Sequence, residues 1–535
     1  MKEILIDAIN ASLKKLDIED ISVEIDIPKQ KDFGDYSTNI AMKLTKILGK
    51  SPMDIAATIV ENIACDSITK MEIKAPGFIN FFVKKDYLVE NIKKVLTEKD
   101  KYGSSNIGSG KKVNIEFVSA NPTGILHLGN ARGGAYGDSL ARIMRFSGFD
   151  VTEEYYINDA GNQINNLGES LKSRYYEVCG KDYPLPDGGY HGKEIIAMAE
   201  DLYEEHQDSL LDEDIEFYKS YATDKLIAKI IADLKEYRIN YDVYTSEKAI
   251  RNKYNLQNII DILTKNGYTY ERDGALWFKC SALFDDEDHV LVKEDKTLTY
   301  LVPDIAYHLD KYNRGYDKMI DIFGADHHGY VARLKSSVKA LGNDPEKLEV
   351  KLLQLVRLIR DGEVVKMSKR TGKSVTLKEL IDEVGINAAR YYFVKSSLDT
   401  QMDFDLNLAK SKSNENPVYY VCYAYARISS ILKETDYNEI PQKFDALNDE
   451  DSYNVLEKVY AFPEVVKNAA QKELPHLITN YVYDLANTFH NYYSRIRIIT
   501  DDEEITKERI LLIKSVHQTI KNALDLIGVI PPEKM

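Results

Sequence analysis

Residues 113–150 read VNIEFVSANPTGILHLGNARGGAYGDSLARIMRFSGFD. VNIEFV is a short apolar and β-branched run, the composition of a buried strand. Asn121-Pro122-Thr123-Gly124 then breaks the backbone, because proline and glycine both interrupt regular structure. His127-Leu128-Gly129-Asn130 follows and opens several turns of helical pattern, with Tyr136, Leu140, Ile143 and Met144 on one side. Strand, tight turn and helix together make an anion site, since the helix start offers free N–H groups and the positive end of its dipole. A His and an Asn at that turn can donate hydrogen bonds to phosphate oxygens. A purely local capping role for His127 is the alternative.

Two further stretches bear on this one. A strand at Met319–Phe323 meets Gly324-Ala325-Asp326-His327-His328-Gly329, and a helix runs on to about Leu341. This repeats the first geometry, and two such strand ends in one open sheet form a crevice suited to a nucleotide. The second stretch is EVVKMSKRTGK, residues 363–373, a basic loop after an Asp361-Gly362 turn. Taken alone it is equally well a solvated charged loop. Together the three stretches point to an enzyme that uses ATP and closes a basic loop over it.

Composition bounds the rest. A chain of 535 residues is too long for one core, so two to four domains are expected. With 44% hydrophobic and 29% charged residues it has the balance of a soluble globular protein. MKEILIDAINASLKKLDIEDIS carries acids among its apolar residues and reads as an amphipathic helix, not a signal peptide, and no stretch approaches a membrane span. Cytoplasm is the expected location. Cys65, Cys179, Cys280 and Cys422 are far apart and form no C-x-x-C pair, so neither a disulfide framework nor a structural zinc is expected. The acidic run DDED at 285–288 has two readings, a metal site or, as is usual for acidic turns, a solvated turn. A net charge of -16 disfavours indiscriminate nucleic-acid binding but leaves room for a locally basic surface.

Along the chain, residues 1–105 mix helical and strand-like runs, a small α+β module. YGSSNIGSGKK at 102–112 reads as a Gly/Ser-rich linker. Residues 110–395 form the α/β part, with a strand at Val151–Ile157, a helix over about 160–178, and an insertion of helices and short strands over about 165–300. LEVKLLQLVRLI is one strand-like run before the basic loop. From about 400 to 535 three long helical patterns indicate an all-α bundle. Tyr419, Tyr420, Tyr423 and Arg427 fall at helical spacing there, a pattern that suits a core face or a platform for stacked bases.

HLGN and KMSK, so spaced, resemble the HIGH and KMSKS signatures of class I aminoacyl-tRNA synthetases. ANPTGILHLGNARGGAYGD, YYINDAGNQINNLG, GADHHGYVARLK and VVKMSKRTGK extend the likeness, over nearly the whole chain, to the bacterial arginyl-tRNA synthetases. Asn130 stands in place of the last His of HIGH, and Arg370 in place of the final Ser of KMSKS. The resemblance implies a Rossmann-like catalytic domain with an inserted connective segment, a tRNA-contacting N-terminal module and a helical anticodon-binding domain. It implies two steps. The arginine carboxylate attacks the α-phosphorus of ATP, which is held with Mg²⁺, and expels pyrophosphate; the 3′-terminal adenosine of tRNA(Arg) then takes the arginyl group. A monomer is expected.

The same resemblance assigns roles. His127, Asn130, Lys366 and Lys369 handle the phosphates, with Gly129, Gly324, Asp326, Met367 and Ser368 around ATP. Glu116, Asn121, Tyr300, Asp304 and His327 line the arginine pocket, where a fixed planar cation calls for carboxylates and acceptors. Asp304 has a second reading, as N-cap of a helix beginning at Ile305. Tyr420, Tyr423 and Arg427 are the candidate RNA contacts.

Overall fold

In the computed structural model, which describes residues 1–28, 30–365, 375–435, 437, 439–441 and 443–535, the centre is a sheet of five parallel strands. Their order is Leu348–Leu353, Lys318–Gly324, Lys112–Glu116, Asp150–Ile157, Val243–Ser246. In chain order that is fifth, fourth, first, second, third. The direction of winding therefore reverses between Lys112–Glu116 and Lys318–Gly324, where Ile115 lies opposite Ile320 and Glu116 opposite Asp321. A reversal of this kind opens a crevice beyond the carboxyl ends of the two strands. Both strand ends singled out in the sequence border it.

The helix Leu128–Phe146 carries Tyr136, Leu140, Ile143 and Met144 into the core as its spacing predicts, and the rest of its circumference is nearly as buried. Glycine permits this. A Cβ on Gly137 would sit 2.3 Å from Phe117 Cγ, and one on Gly134 would sit 2.7 Å from Ile239 Cδ1. Helix and strand end thus approach more closely than any larger residue allows.

The N-terminal module has its own core, with Leu5, Ile9, Ile40, Ile59 and Phe81 fully buried. Helices Lys2–Lys14, Ile40–Leu48 and Pro52–Asn62 accompany a three-stranded antiparallel sheet in the order Tyr36–Thr38, Phe78–Val83, Ile68–Lys74. The segment 102–112 is not the loose tether its Gly/Ser content suggests. Tyr102 is fully buried and donates to Val459 O at 2.7 Å, while Ser105 N and Gly108 N donate to Phe146 O and Ser147 O. Its small residues serve close packing, since a Cβ on Gly103 would meet the Phe462 ring at 2.4 Å.

The insertion holds helices Asn162–Val178, Lys193–His206 and Ile215–Glu236 around one small core. A second small core gathers a sheet of strands Thr269–Arg272, Ala275–Phe278 and His289–Val292 with the helix Leu301–Asn313. The run 348–359 is two strands, not one: Leu348–Leu353 in the central sheet and Val356–Arg360 in a separate sheet with Glu363–Val364 and Met402–Asp405. The C-terminal bundle has four long helices, Pro417–Glu434, Glu450–Lys472, His476–Arg495 and Glu503–Leu526. The second was missed in the sequence because Pro463, a usual helix breaker, lies inside it.

Candidate active site

Backbone strain marks the turn after the first strand. Val118 and Ser119 have φ of 70° and 35°, a region that is sterically costly for a β-branched residue. Several bonds hold it: Tyr155 OH donates to Ala120 O (2.7 Å), Ser119 Oγ accepts from Tyr156 N (3.1 Å), and Tyr241 OH donates to Phe117 O (3.0 Å). The result carries the chain round to His127, the N-cap of the helix Leu128–Phe146.

Asn130 Oδ1 accepts from the His127 backbone N–H at 3.0 Å, the reaching-back half of a capping box. So Asn130 is in the first place a cap, with its amide N–H left to offer an anion. Gly129 lies beside the imidazole; a Cβ there would come within 3.3 Å of His127 Cε1. Lys366, Met367, Ser368 and Lys369 lie outside the described residues. The chain next to them does not. Thr376 forms an antiparallel bridge with His127, and Leu377 N donates to Leu126 O at 2.8 Å. The basic stretch thus rejoins the described chain directly against the helix start.

The candidate arginine residues gather around the end of the second strand. Asn121 Nδ2 donates to Gln163 Oε1 (2.7 Å), and Asn121 Oδ1 accepts from Asn158 Nδ2 (2.8 Å). Tyr300 is 59% exposed, and its ring lies over Gly161, where a Cβ would come within 3.2 Å of it. Asp304 is one helical turn further on. It does not cap a helix, because the helix already begins at Leu301. Instead the Tyr330 hydroxyl donates to Asp304 Oδ2. Burial lifts the Asp304 carboxyl to about 6, against the opposing pull of that hydrogen bond. Such an acid, short of countercharge, suits a cationic ligand.

Glu116, at the end of the first strand, is 4% exposed and accepts from Ser119 Oγ (3.0 Å), Tyr307 OH (2.8 Å) and Lys311 Nζ (2.5 Å). With a buried lysine paired to it, it braces the strained turn. Lys311 also reaches Asp321 at 2.6 Å, and His308 Nε2 lies 3.0 Å from the same acid. Burial opposes the charge on Asp321, yet Lys311 and His308 together hold its carboxyl down at about 2. This charged cluster underlies the sheet at its reversal point.

Gly324 ends the fourth strand, Asp326 and His327 follow in an exposed turn, and the helix His328–Ala340 begins next. His327 lies near Phe323 and Tyr330, with ring centroids 5.6 and 6.5 Å away. In the bundle, Tyr420, Tyr423 and Arg427 are half-buried, each keeping part of its surface exposed. Tyr423 stacks on Tyr419, Arg427 donates to Tyr423 OH (2.6 Å), and Tyr420 packs on His490.

Two pocket residues escaped the sequence reading. Tyr330 orients Asp304, and Tyr156, 5% exposed and stacked on Tyr307 at 4.1 Å, buries a hydroxyl with no partner among the described residues. Both are tyrosines in a chain with 37 of them, so composition gave no signal.

Comparisons with known proteins agree along the chain. The family described as tRNA synthetases class I (R), catalytic domain, matches residues 91–437. The arginyl tRNA synthetase N terminal domain matches 3–83, and the DALR anticodon binding domain matches 421–535. The arginine–tRNA ligase of Shouchella clausii is 50% identical over 96% of this chain and 94% of its own. That of Bacillus subtilis is 46% identical over 100% and 99%. A putative arginyl-tRNA synthetase structure from Campylobacter jejuni, 33% identical, superposes with a TM-score of 0.79 over 85% of this chain and all of that one. The Thermus thermophilus enzyme, 22% identical, shares the fold over both full lengths, also at 0.79. With the sheet reversal and the capped helix start in place, these matches make the chain a member of the arginyl-tRNA synthetase family, a class I arginine–tRNA ligase.

Proposed function

We propose the following division of labour for the arginylation of tRNA(Arg). His127, the N–H groups at the start of Leu128–Phe146 and the Asn130 amide hold ATP phosphate oxygens. Lys366 and Lys369 neutralise the charge that builds on pyrophosphate as the arginine carboxylate attacks the α-phosphorus. Gly129, Gly324, Asp326, Met367 and Ser368 surround the nucleotide, and Mg²⁺ arrives with it as part of the substrate. No protein nucleophile is needed, so positioning and electrostatics carry the step. Asp304 meets the guanidinium, with Tyr300, Asn121 and His327 on the remaining sides. Tyr420, Tyr423 and Arg427 contact tRNA from the bundle.

We further propose functional boundaries at 1–105, 110–395 and 400–535, with a monomer acting in the cytoplasm. Among the described residues no helix is long and apolar enough to cross a membrane.

The observation that supports this reading is the bridge between Thr376 and His127 at the helix start. The test is arginine-dependent ATP–pyrophosphate exchange, run with tRNA present. Lys366→Ala and His127→Ala should each slow exchange by about 10²–10³, the cost of one preorganised donor to a developing charge. The KM for arginine should stay nearly constant. Equal loss in rate and arginine affinity removes the assigned roles.

A further inference from the structure

The acidic run at 285–288 is only in part the solvated turn its composition suggests: Asp286 and Glu287 are exposed, whereas Asp285 and Asp288 are bonded within the loop. Asp288 accepts from Ser281 N (3.0 Å), Ser281 Oγ (2.7 Å) and Tyr270 OH (3.0 Å), which folds the loop back on itself. Asp285 N donates to Cys280 O at 3.3 Å and closes the loop from the other side. Phe284 N donates to Ser336 Oγ at 3.1 Å and fastens it to the helix His328–Ala340. Three side chains converge inside this frame. Cys280 is fully buried at the start of a short 3₁₀ turn. Asp285 lies in the turn, and His289 opens the strand His289–Val292. The Cys280 thiol, an Asp285 carboxylate oxygen and a His289 ring nitrogen all lie within 4.8 Å of one another. His289 Nε2 is 2.9 Å from Asp285 Oδ2.

We propose that Cys280, Asp285 and His289 form a binding site for a divalent transition metal, zinc foremost, in the inserted segment and separate from ATP chemistry. The donor set decides the metal. One thiolate, one imidazole and one carboxylate suit zinc and exclude magnesium and calcium, which take oxygen ligands. Three protein ligands leave the fourth tetrahedral position to water. Bonds of about 2.0–2.3 Å to one tetrahedral ion set donors roughly 3.3–3.8 Å apart, so the three side chains reach that arrangement by small rotations, with the His289–Asp285 hydrogen bond giving way to the ion. Asp288 has the supporting role of fixing the loop that presents the ligands. The spacing is Cys, then Asp five residues on, then His four more, and no C-x-x-C pair marks it in the sequence. On binding, the thiol proton and any second proton on the imidazole are released to solvent, leaving thiolate and neutral imidazole as ligands.

The full-length enzyme is stripped with chelator, incubated with equimolar Zn²⁺ or Co²⁺ under reducing conditions, and desalted. The expected result is about one equivalent of metal retained, in keeping with a single site. Co²⁺ should also give a thiolate charge-transfer band in the near ultraviolet. Cys280→Ser should abolish the band, and Asp288→Asn should weaken metal binding by about tenfold. His289→Gln, at a half-buried position, keeps the test decisive should the buried cysteine variant not fold; it should lose the metal while keeping the metal-free far-ultraviolet spectrum. Mg²⁺ should not compete. Sub-stoichiometric zinc and no cobalt band in the wild-type chain overturn the proposal, as does undiminished metal in His289→Gln.

Discussion

At the scale of single residues, Asp304 gives the most direct handle on arginine recognition. Its carboxyl is raised to about 6 by burial, so the free enzyme carries it protonated below that pH and ionised above. Only the ionised form pairs with a guanidinium. The kcat/KM for arginine should therefore fall about tenfold per pH unit below the free-enzyme pKa, since that parameter reports the essential group before substrate binds. Asp304→Asn should abolish this acid limb and raise KM strongly. Tyr330→Phe removes the donor to Asp304, and with it a contact that favours ionisation, so the limb should move to higher pH. A pH profile unchanged in both variants would take Asp304 out of the pocket. Asp304 was visible in the sequence only as an acid in a family-like context, with capping as a rival. The helix beginning three residues earlier rules out the cap, and sequence patterns place helix starts poorly.

Individual elements show why parts of the molecule were legible and parts were not. The strand Lys112–Glu116 and the helix Leu128–Phe146 obey local rules: a β-branched run, a Pro/Gly break, a helical apolar spacing. The same holds for Lys318–Gly324 and the helix after it. Failures came where tertiary contacts override composition. The glycines of 102–112 serve close packing, Pro463 is accommodated inside a long helix, and Asp285 and Asp288, but not Asp286 and Glu287, are bonded within their loop. Glu116 had an acid's pattern, but its lysine partner lies 195 residues away in sequence, which no local reading reaches. Gly137→Ala is the matching test of element packing. Its Cβ would press on Phe117, so a destabilisation of about 1–3 kcal/mol is expected, read as a lower urea midpoint. A neutral or stabilising result, as at an ordinary helical glycine, would mean helix and strand are not in tight contact.

For the whole molecule, the bundle and the catalytic domain share one hydrophobic core, and polar ties cross between them. Arg390, fully buried, donates to Ile527 O in the bundle, to Tyr237 O and to Asp138 on the helix Leu128–Phe146. Arg390→Ala leaves the buried Ile527 and Tyr237 carbonyls without their donor and Asp138 with Arg142 alone, and should cost about 3 kcal/mol in urea unfolding. A loss below 1 kcal/mol would make the tie incidental. The N-terminal module reaches the same bundle through Lys85, which bridges Asp35 (2.6 Å) and Glu457 (2.8 Å). This frame holds residues 127 and 376 together although 249 positions separate them. Whether the lysines between 366 and 369 act on the same triphosphate as His127 is best measured by a double-mutant cycle. His127→Ala, Lys366→Ala and the pair are compared in arginine-dependent ATP–pyrophosphate exchange. Groups that stabilise one developing charge couple, so the double variant should lose far less than the product of the two single losses. Strictly multiplicative losses would place the two residues at independent sites and contradict a shared phosphate cleft.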